Sequence, residues 1–224
     1  MIAFVFLAFI HLAFAGDLEC TTSIPPDRAP PGWILSRMSA AYLQIFRMGP
    51  IHCTGFVESW LFQSDNPSAT VKPIFTVWEQ YGTENKFRFI GGNMLGSTVE
   101  NVGNQWYRFY VDKNSQIPVD VTKGGPYYIG IFYESTQLMS GTYVPIFYYD
   151  NVQEISAFAP DMTVIANVSA GQVLDLSRMS QDGWITFPLA TLDRRSPLLF
   201  ANFRRPQGPP EPVSKPPKLL GKCL

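Results

Sequence analysis

Seven short runs of β-branched and aromatic residues, none longer than seven residues, punctuate the stretch 56–187. They are Phe56-Val57-Glu58-Ser59-Trp60-Leu61-Phe62, Ile74-Phe75-Thr76-Val77-Trp78, Lys86-Phe87-Arg88-Phe89-Ile90, and residues 105–111, 127–133, 144–149 and 184–187. Turn formers separate them: Tyr81-Gly82, Gly91-Gly92-Asn93, Gly103-Asn104, Asp112-Lys113-Asn114, Lys123-Gly124-Gly125-Pro126 and Asp182-Gly183. Short strands at this spacing, with little helical periodicity between them, predict an all-β fold, an antiparallel β-sandwich of jelly-roll type. In one strand the alternation is explicit, with Lys86, Arg88 and Ile90 on one side and Phe87 and Phe89 on the other. Residues 34–47 carry enough aromatic and β-branched content to be read as strand as well.

Aromatics make up 14% of the 224 residues, which excludes a disordered chain. The formal charge of −1 argues against a nucleic-acid binder. That charge is unevenly spread. Residues 193–224 carry seven basic and two acidic side chains, and six of the twelve residues 206–217 are proline. Proline cannot donate to a strand ladder, so 193–224 is expected to be an extended basic tail. The predicted organisation is a signal peptide over 1–15, a Pro-rich lead-in over 16–32, the sandwich over 33–192 and the tail after it.

The first fifteen residues hold no Lys, Arg, Asp or Glu and end Ala13-Phe14-Ala15 before Gly16. This is the small-x-small pattern of a secretory signal, with cleavage expected between Ala15 and Gly16. Asp17 and Glu19 stop the run short of the ~20 apolar residues of a membrane span, and no transmembrane segment is predicted. Export puts Cys20, Cys53 and Cys223 in an oxidising compartment. Three cysteines cannot all pair within one chain. Cys20–Cys53 is preferred, Cys53–Cys223 is the alternative, and the first pairing leaves Cys223 for an interchain bond in a homodimer. Asn167-Val168-Ser169 is an open glycosylation sequon at Asn167.

The run Cys53-Thr54-Gly55-Phe56-Val57-Glu58-Ser59-Trp60-Leu61-Phe62 resembles the C-x-G-x-V-x-S-W-x-F opening of an extracellular β-sandwich module of invertebrate secreted and cell-surface proteins. Thr76-Val77-Trp78, Phe89-Ile90-Gly91-Gly92-Asn93, Ile117-Pro118-Val119 with Gly130-Ile131-Phe132, and Val144-Pro145-Ile146-Phe147-Tyr148-Tyr149-Asp150 are similar to its later strands, in the same order. The resemblance spans about residues 40–190 and implies a fold and a compartment but no reaction. Lys123-Gly124-Gly125-Pro126-Tyr127 stands where a Gly-Asp turn is expected, which leaves any site built on that acidic residue in question.

Chemistry is sparse. Once the signal is removed His52 is the remaining histidine, and no G-x-S-x-G, H-E-x-x-H or C-x-x-C motif occurs. No catalytic residue, metal ligand or cofactor is assigned. Asp65-Asn66, Asp112-Lys113-Asn114 and Asp150-Asn151 place oxygen ligands in loops, as calcium requires, but Asx residues are also ordinary turn formers. Tyr127, Tyr128, Tyr133, Tyr143, Tyr148 and Tyr149 outnumber what a single inner face needs. Alternation sends about half of them outward as an aromatic contact surface for an extracellular protein or a glycan. The expected function is secreted, non-enzymatic binding or adhesion. A carbohydrate-binding lectin, calcium-assisted or not, is the alternative.

Overall fold

The computed structural model describes residues 20–21, 34–37, 43–82, 86–133, 141–150, 156–159, 168–175 and 196–205. The predicted signal with Ala15 and Gly16, the run 184–187, Asn167, Cys223 and the tail after 205 lie outside these residues.

The run 56–62 forms a long strand because its apolar residues recur on one side. Val57, Trp60 and Phe62 are all buried, and a register shift between Asn202 and Phe203 of the neighbouring strand brings Val57 and Trp60 to the same face despite a three-residue spacing. Such a bulge re-aims side chains without ending the ladder. The strands, in chain order, are β1 (Cys20–Thr21), β2 (Ile34–Arg37), β3 (Leu43–Ile51), β4 (Gly55–Gln63), β5 (Pro73–Gln80), β6 (Lys86–Met94), β7 (Glu100–Gly103) and β8 (Trp106–Tyr110). A 3-10 turn (Lys113–Ser115) follows, then β9 (Pro118–Val119), β10 (Tyr127–Tyr133), β11 (Phe147–Asp150), β12 (Ser156–Ala159), β13 (Val173–Asp175), β14 (Ser196–Pro197) and β15 (Leu199–Arg204).

One sheet runs β1-β15-β4-β8-β7, with β9 beside the start of β4, and the second runs β12-β3-β10-β5-β6-β13. A small third sheet, β14-β11-β2, completes the set, and every strand pairing is antiparallel. The chain passes between the two large sheets from β1 to β3 (by way of β2), β3 to β4, β4 to β5, β6 to β7, β9 to β10 and β13 to β15 (by way of β14). That winding sets β1-β15-β4-β8 against β3-β10-β5-β6, the jelly-roll order. The expected all-β sandwich is therefore present, and 34–37 and 43–47 are strand as expected.

Between the sheets lies one continuous core. Val57, Trp60 and Phe62 meet Phe75, Val77, Ile129, Ile131, Leu199, Ala201 and Phe203 there. Trp60 and Phe62 each pack on Phe75, with ring centroids 5.4 and 5.5 Å apart. The Trp60 Nε1–H donates to Asn93 Oδ1 at 3.0 Å, so the indole's polar end is satisfied inside the core.

Two boundaries differ from expectation. β15 belongs to the sandwich as an interior strand between β1 and β4, so the domain continues past residue 192 to Arg204. The arginines around this segment dominate its composition, whereas Leu199, Ala201 and Phe203 alternate into the core. At the other end Cys20 and Thr21, placed by sequence in the lead-in, form an edge strand on β15.

The tyrosine surface is also corrected. Tyr127, Tyr128, Tyr133, Tyr143 and Tyr148 are all buried, Tyr133 completely. Alternation holds along β10, but both faces of its sheet are covered. Tyr127, Ile129, Ile131 and Tyr133 enter the inter-sheet core, while Tyr128 and Phe132 join Leu43, Ile45, Trp78, Phe87 and Leu174 in a second buried layer. A strand buried on both faces uses apolar residues at every position. The backbone of Tyr149 lies in β11, and its side chain is outside the described residues.

Candidate functional site

At the end of the second sheet where β5 finishes and β6 and β10 begin, the core-facing row becomes polar. Glu79 of β5 stands directly opposite Tyr127 of β10 on one side and Arg88 of β6 on the other. Opposite charges in directly facing positions attract across an antiparallel ladder. Here Arg88 Nη1 donates to Glu79 Oε2 at 3.0 Å, and the Gly125 N–H donates to Glu79 Oε1 at 3.2 Å. Glu79 is 6% exposed. Burying a carboxylate is costly unless its charge and lone pairs are matched, and both oxygens are matched here.

The turn after β9 closes over this carboxylate. A Cβ on Gly124 would collide with Glu79 Oε1, and one on Gly125 would collide with the Gln80 carbonyl. The paired glycines that depart from the expected Gly-Asp turn thus have a physical role. They let backbone come into contact with a carboxylate supplied by β5 instead of by the turn. Gln80 N–H donates to the Pro126 carbonyl at 2.8 Å, tying the turn to β5. Burial, followed by the negative charges of Glu79 and Asp120, raises the pKa of the Tyr127 hydroxyl above its ordinary value.

Outside this buried pair sits an exposed ring. The Arg88 guanidinium carbon lies 4.2 Å from the Tyr81 ring centroid, and Tyr81 is 46% exposed. The arginine is held on its edge by a carboxylate and on its face by an aromatic ring, a favourable cation–π arrangement. Two more ion pairs flank it. Lys123 Nζ lies 3.0 Å from Asp120 Oδ2, and Lys86 Nζ lies 3.6 Å from Asp175 Oδ2. Asp120 Oδ1 also accepts from the Thr122 hydroxyl and amide, and these bonds with Lys123 lower its pKa.

A second cluster of the same residue types lies on the first sheet. Arg108 Nη1 of β8 donates to the Tyr110 hydroxyl, which donates to Glu100 Oε2 of β7, each at 3.2 Å. Tyr110 is 56% exposed and the arginine stands 5.8 Å from its ring.

Neither exposed tyrosine figured among the residues singled out in the sequence. Tyr81 reads there as part of a Tyr-Gly turn and Tyr110 as one more strand aromatic. The usable signal is an aromatic beside a turn glycine, with arginine two positions into the next strand. Cys53 is buried and disulfide-bonded. Of its two candidate partners, Cys20 has its backbone in β1 opposite the buried Phe203, and Cys223 lies outside the described residues. His52 is exposed. Among the described residues no three His, Cys, Asp or Glu side chains converge as a metal site, and no helix is long and apolar enough to cross a membrane. No protein-family description matches the chain, and no curated protein or solved structure matches it either.

Proposed function

We propose that this chain is a secreted, non-enzymatic extracellular binding or adhesion module that makes contact through the end of the sandwich carrying Tyr81 and Arg88. One observation carries the reading. A buried carboxylate holds an arginine that lies against an exposed aromatic ring, so the arginine is positioned before a partner arrives. Preorganisation of this kind lowers the cost of association, and tyrosine and arginine are over-represented where binding energy concentrates. Glu79 is spent on Arg88 and the Gly125 amide, so its role is to position the arginine.

The compartment rests on the residues before Gly16. Cys53 in a disulfide fits an oxidising environment. Pairing with Cys20 would clamp edge strand β1 and leave Cys223 for a covalent homodimer. A lectin, with or without calcium, is the second reading, favoured by the exposed ring of Tyr81 beside a polar cluster.

The test is expression of the full chain in a eukaryotic host, with intact mass measured before and after reduction and adhesion to cell surfaces measured on the same material. The expected product is in the medium, starts at Gly16, carries one internal disulfide and adheres. A dimer that collapses on reduction assigns Cys223 to the interchain bond. Recovery in the cell pellet with residues 1–15 attached overturns the compartment, and absence of adhesion overturns the function.

A further inference from the structure

We infer that Tyr81 and Arg88 form a binding site for a neutral saccharide, an inference that rests on the binding reading above and names the ligand class of the same site. The donors come first. A guanidinium carries five N–H donors in a fixed fork, and the described bond to Glu79 uses one of them. A third of the Arg88 side chain remains in solvent, while Glu79 and the Tyr81 ring fix its plane. Tyr81 adds a flat, amphipathic surface beside those donors.

Charge then selects among ligands. Among the described residues the three cations here are each matched: Arg88 with Glu79 at 3.0 Å, Lys123 with Asp120 at 3.0 Å, and Lys86 with Asp175 at 3.6 Å. These balanced pairs give a phosphate, sulfate or carboxylate no net attraction, and an anion would have to compete with a carboxylate already in place. A purely apolar partner fits no better. The apolar surface here is Tyr81 with Val173, which is 36% exposed and stands directly opposite Arg88 on β13, whereas the exposed Phe56, Met94 and Val102 stand on β4, β6 and β7. A purely apolar partner would also have to desolvate the arginine between them. A pyranose meets the remaining requirements. Its C–H face can stack on an aromatic ring, and its hydroxyls can accept from a guanidinium while carrying no charge.

The experiment uses the secreted full chain and saturation-transfer NMR with the methyl glycosides of glucose, galactose, mannose and N-acetylglucosamine. Sodium sulfate serves as the anionic competitor. At least one glycoside should bind in the millimolar range. Tyr81→Ala should weaken that binding about tenfold or more, Tyr81→Phe should retain it, and Arg88→Lys should weaken it by losing the planar fork. The ring is exposed, so Tyr81→Ala should leave the melting temperature unchanged and its effect reads as binding. Absence of transfer from all four glycosides, undiminished binding in Tyr81→Ala, or displacement of the glycoside by sulfate would each overturn the inference. Adhesion to cells in the same preparation separates the two levels. Adhesion without glycoside binding sinks the saccharide and spares the binding reading, whereas loss of both sinks the reading itself.

Discussion

Two clusters in this sandwich are built from the same three residue types, yet only one is built on a buried carboxylate. Glu79, Arg88 and Tyr81 lie on β5, β6 and the turn between them; Glu100, Arg108 and Tyr110 lie on β7 and β8. In both, the carboxylate and the arginine face each other directly across an antiparallel pair. The arginines are equally exposed, at 33% and 32%, but the carboxylates are not, at 8% and 50%. The buried one holds its arginine at 3.0 Å and the exposed one at 3.7 Å. Cross-strand placement therefore brings the charges together, and burial decides whether the pair has one geometry. At Glu79 the Gly124-Gly125 turn closes over the carboxylate.

The largest test of this contrast removes each carboxylate in turn. Glu79→Ala leaves Arg88 beside a desolvated gap and the Gly125 amide without its acceptor. Breaking a buried pair costs about 3 kcal/mol or more, and with Arg88 a third in solvent about 2–3 kcal/mol is expected. Glu100→Ala should stay within about 0.5 kcal/mol, as exposed pairs do. Urea unfolding of the two variants reads both values. Equal costs would erase the distinction between the clusters.

The turn itself supplies the next largest effect. Gly124→Ala drives a methyl group into Glu79 Oε1, and overpacking of this kind costs about 1–3 kcal/mol. Because the nearest obstacle is the carboxylate and the Tyr127 hydroxyl is the other, part of the penalty should disappear in the Glu79→Ala background. A double-mutant cycle measures that coupling. If the two costs simply add, Gly124 serves the turn conformation and not the approach to Glu79.

This dependence on burial also explains what the sequence does and does not disclose. Runs such as residues 127–133 announce strands because β-branched and aromatic residues cluster between turn formers, and the jelly roll follows from them. Whether a tyrosine in such a run faces water depends on what covers the second face of its sheet. That information is spread over Leu43, Ile45, Trp78, Phe87 and Leu174, far apart in sequence. β15 was hidden differently: Arg204 and Arg205 make its surroundings basic, and an averaged charge conceals the inward row Leu199, Ala201 and Phe203. Glu79 itself is visible as a strand residue. Its site is not, since the partners that bury it sit 45 and 46 positions later at Gly124 and Gly125.

Alkaline pH probes burial without a change of size. Tyr133 is fully buried, its hydroxyl donates to the Val144 carbonyl at 2.7 Å, and burial raises its pKa well above the ordinary value. The native state thus holds this proton more tightly than the unfolded chain. The associated stability is intact below the unfolded value of about 10 and is lost as pH rises from there toward the folded value. Tyr133→Phe should cost about 1 kcal/mol at neutral pH through the lost hydrogen bond and unfold less readily in alkali than the parent. Tyr127, raised by burial and by Glu79, links this test to the buried cluster. Glu79→Gln should lower its titration, followed by tyrosinate absorbance, and Glu100→Gln should not move it.

The smallest expected effect lies on the acid side, at the exposed end of the same turn. Asp120 accepts from Thr122 and pairs with Lys123, and these contacts lower its pKa. A lowered folded value means that the charged form is favoured in the native state. Its contribution is present above the unfolded value of about 3.9 and is lost as pH falls through the folded one. Thr122→Ala removes the hydroxyl bond and should raise the Asp120 midpoint, measured by NMR of its side-chain carboxyl. Added salt should weaken the Lys123 contribution, because that lysine stands almost entirely in water. If burial is what separates the two clusters, salt should loosen Asp120–Lys123 and Glu100–Arg108 together and leave Glu79–Arg88 in place. A Glu79–Arg88 pair as salt-sensitive as the other two would mean that solvent already reaches it, and the rigid arginine on which the binding reading stands would be lost with it.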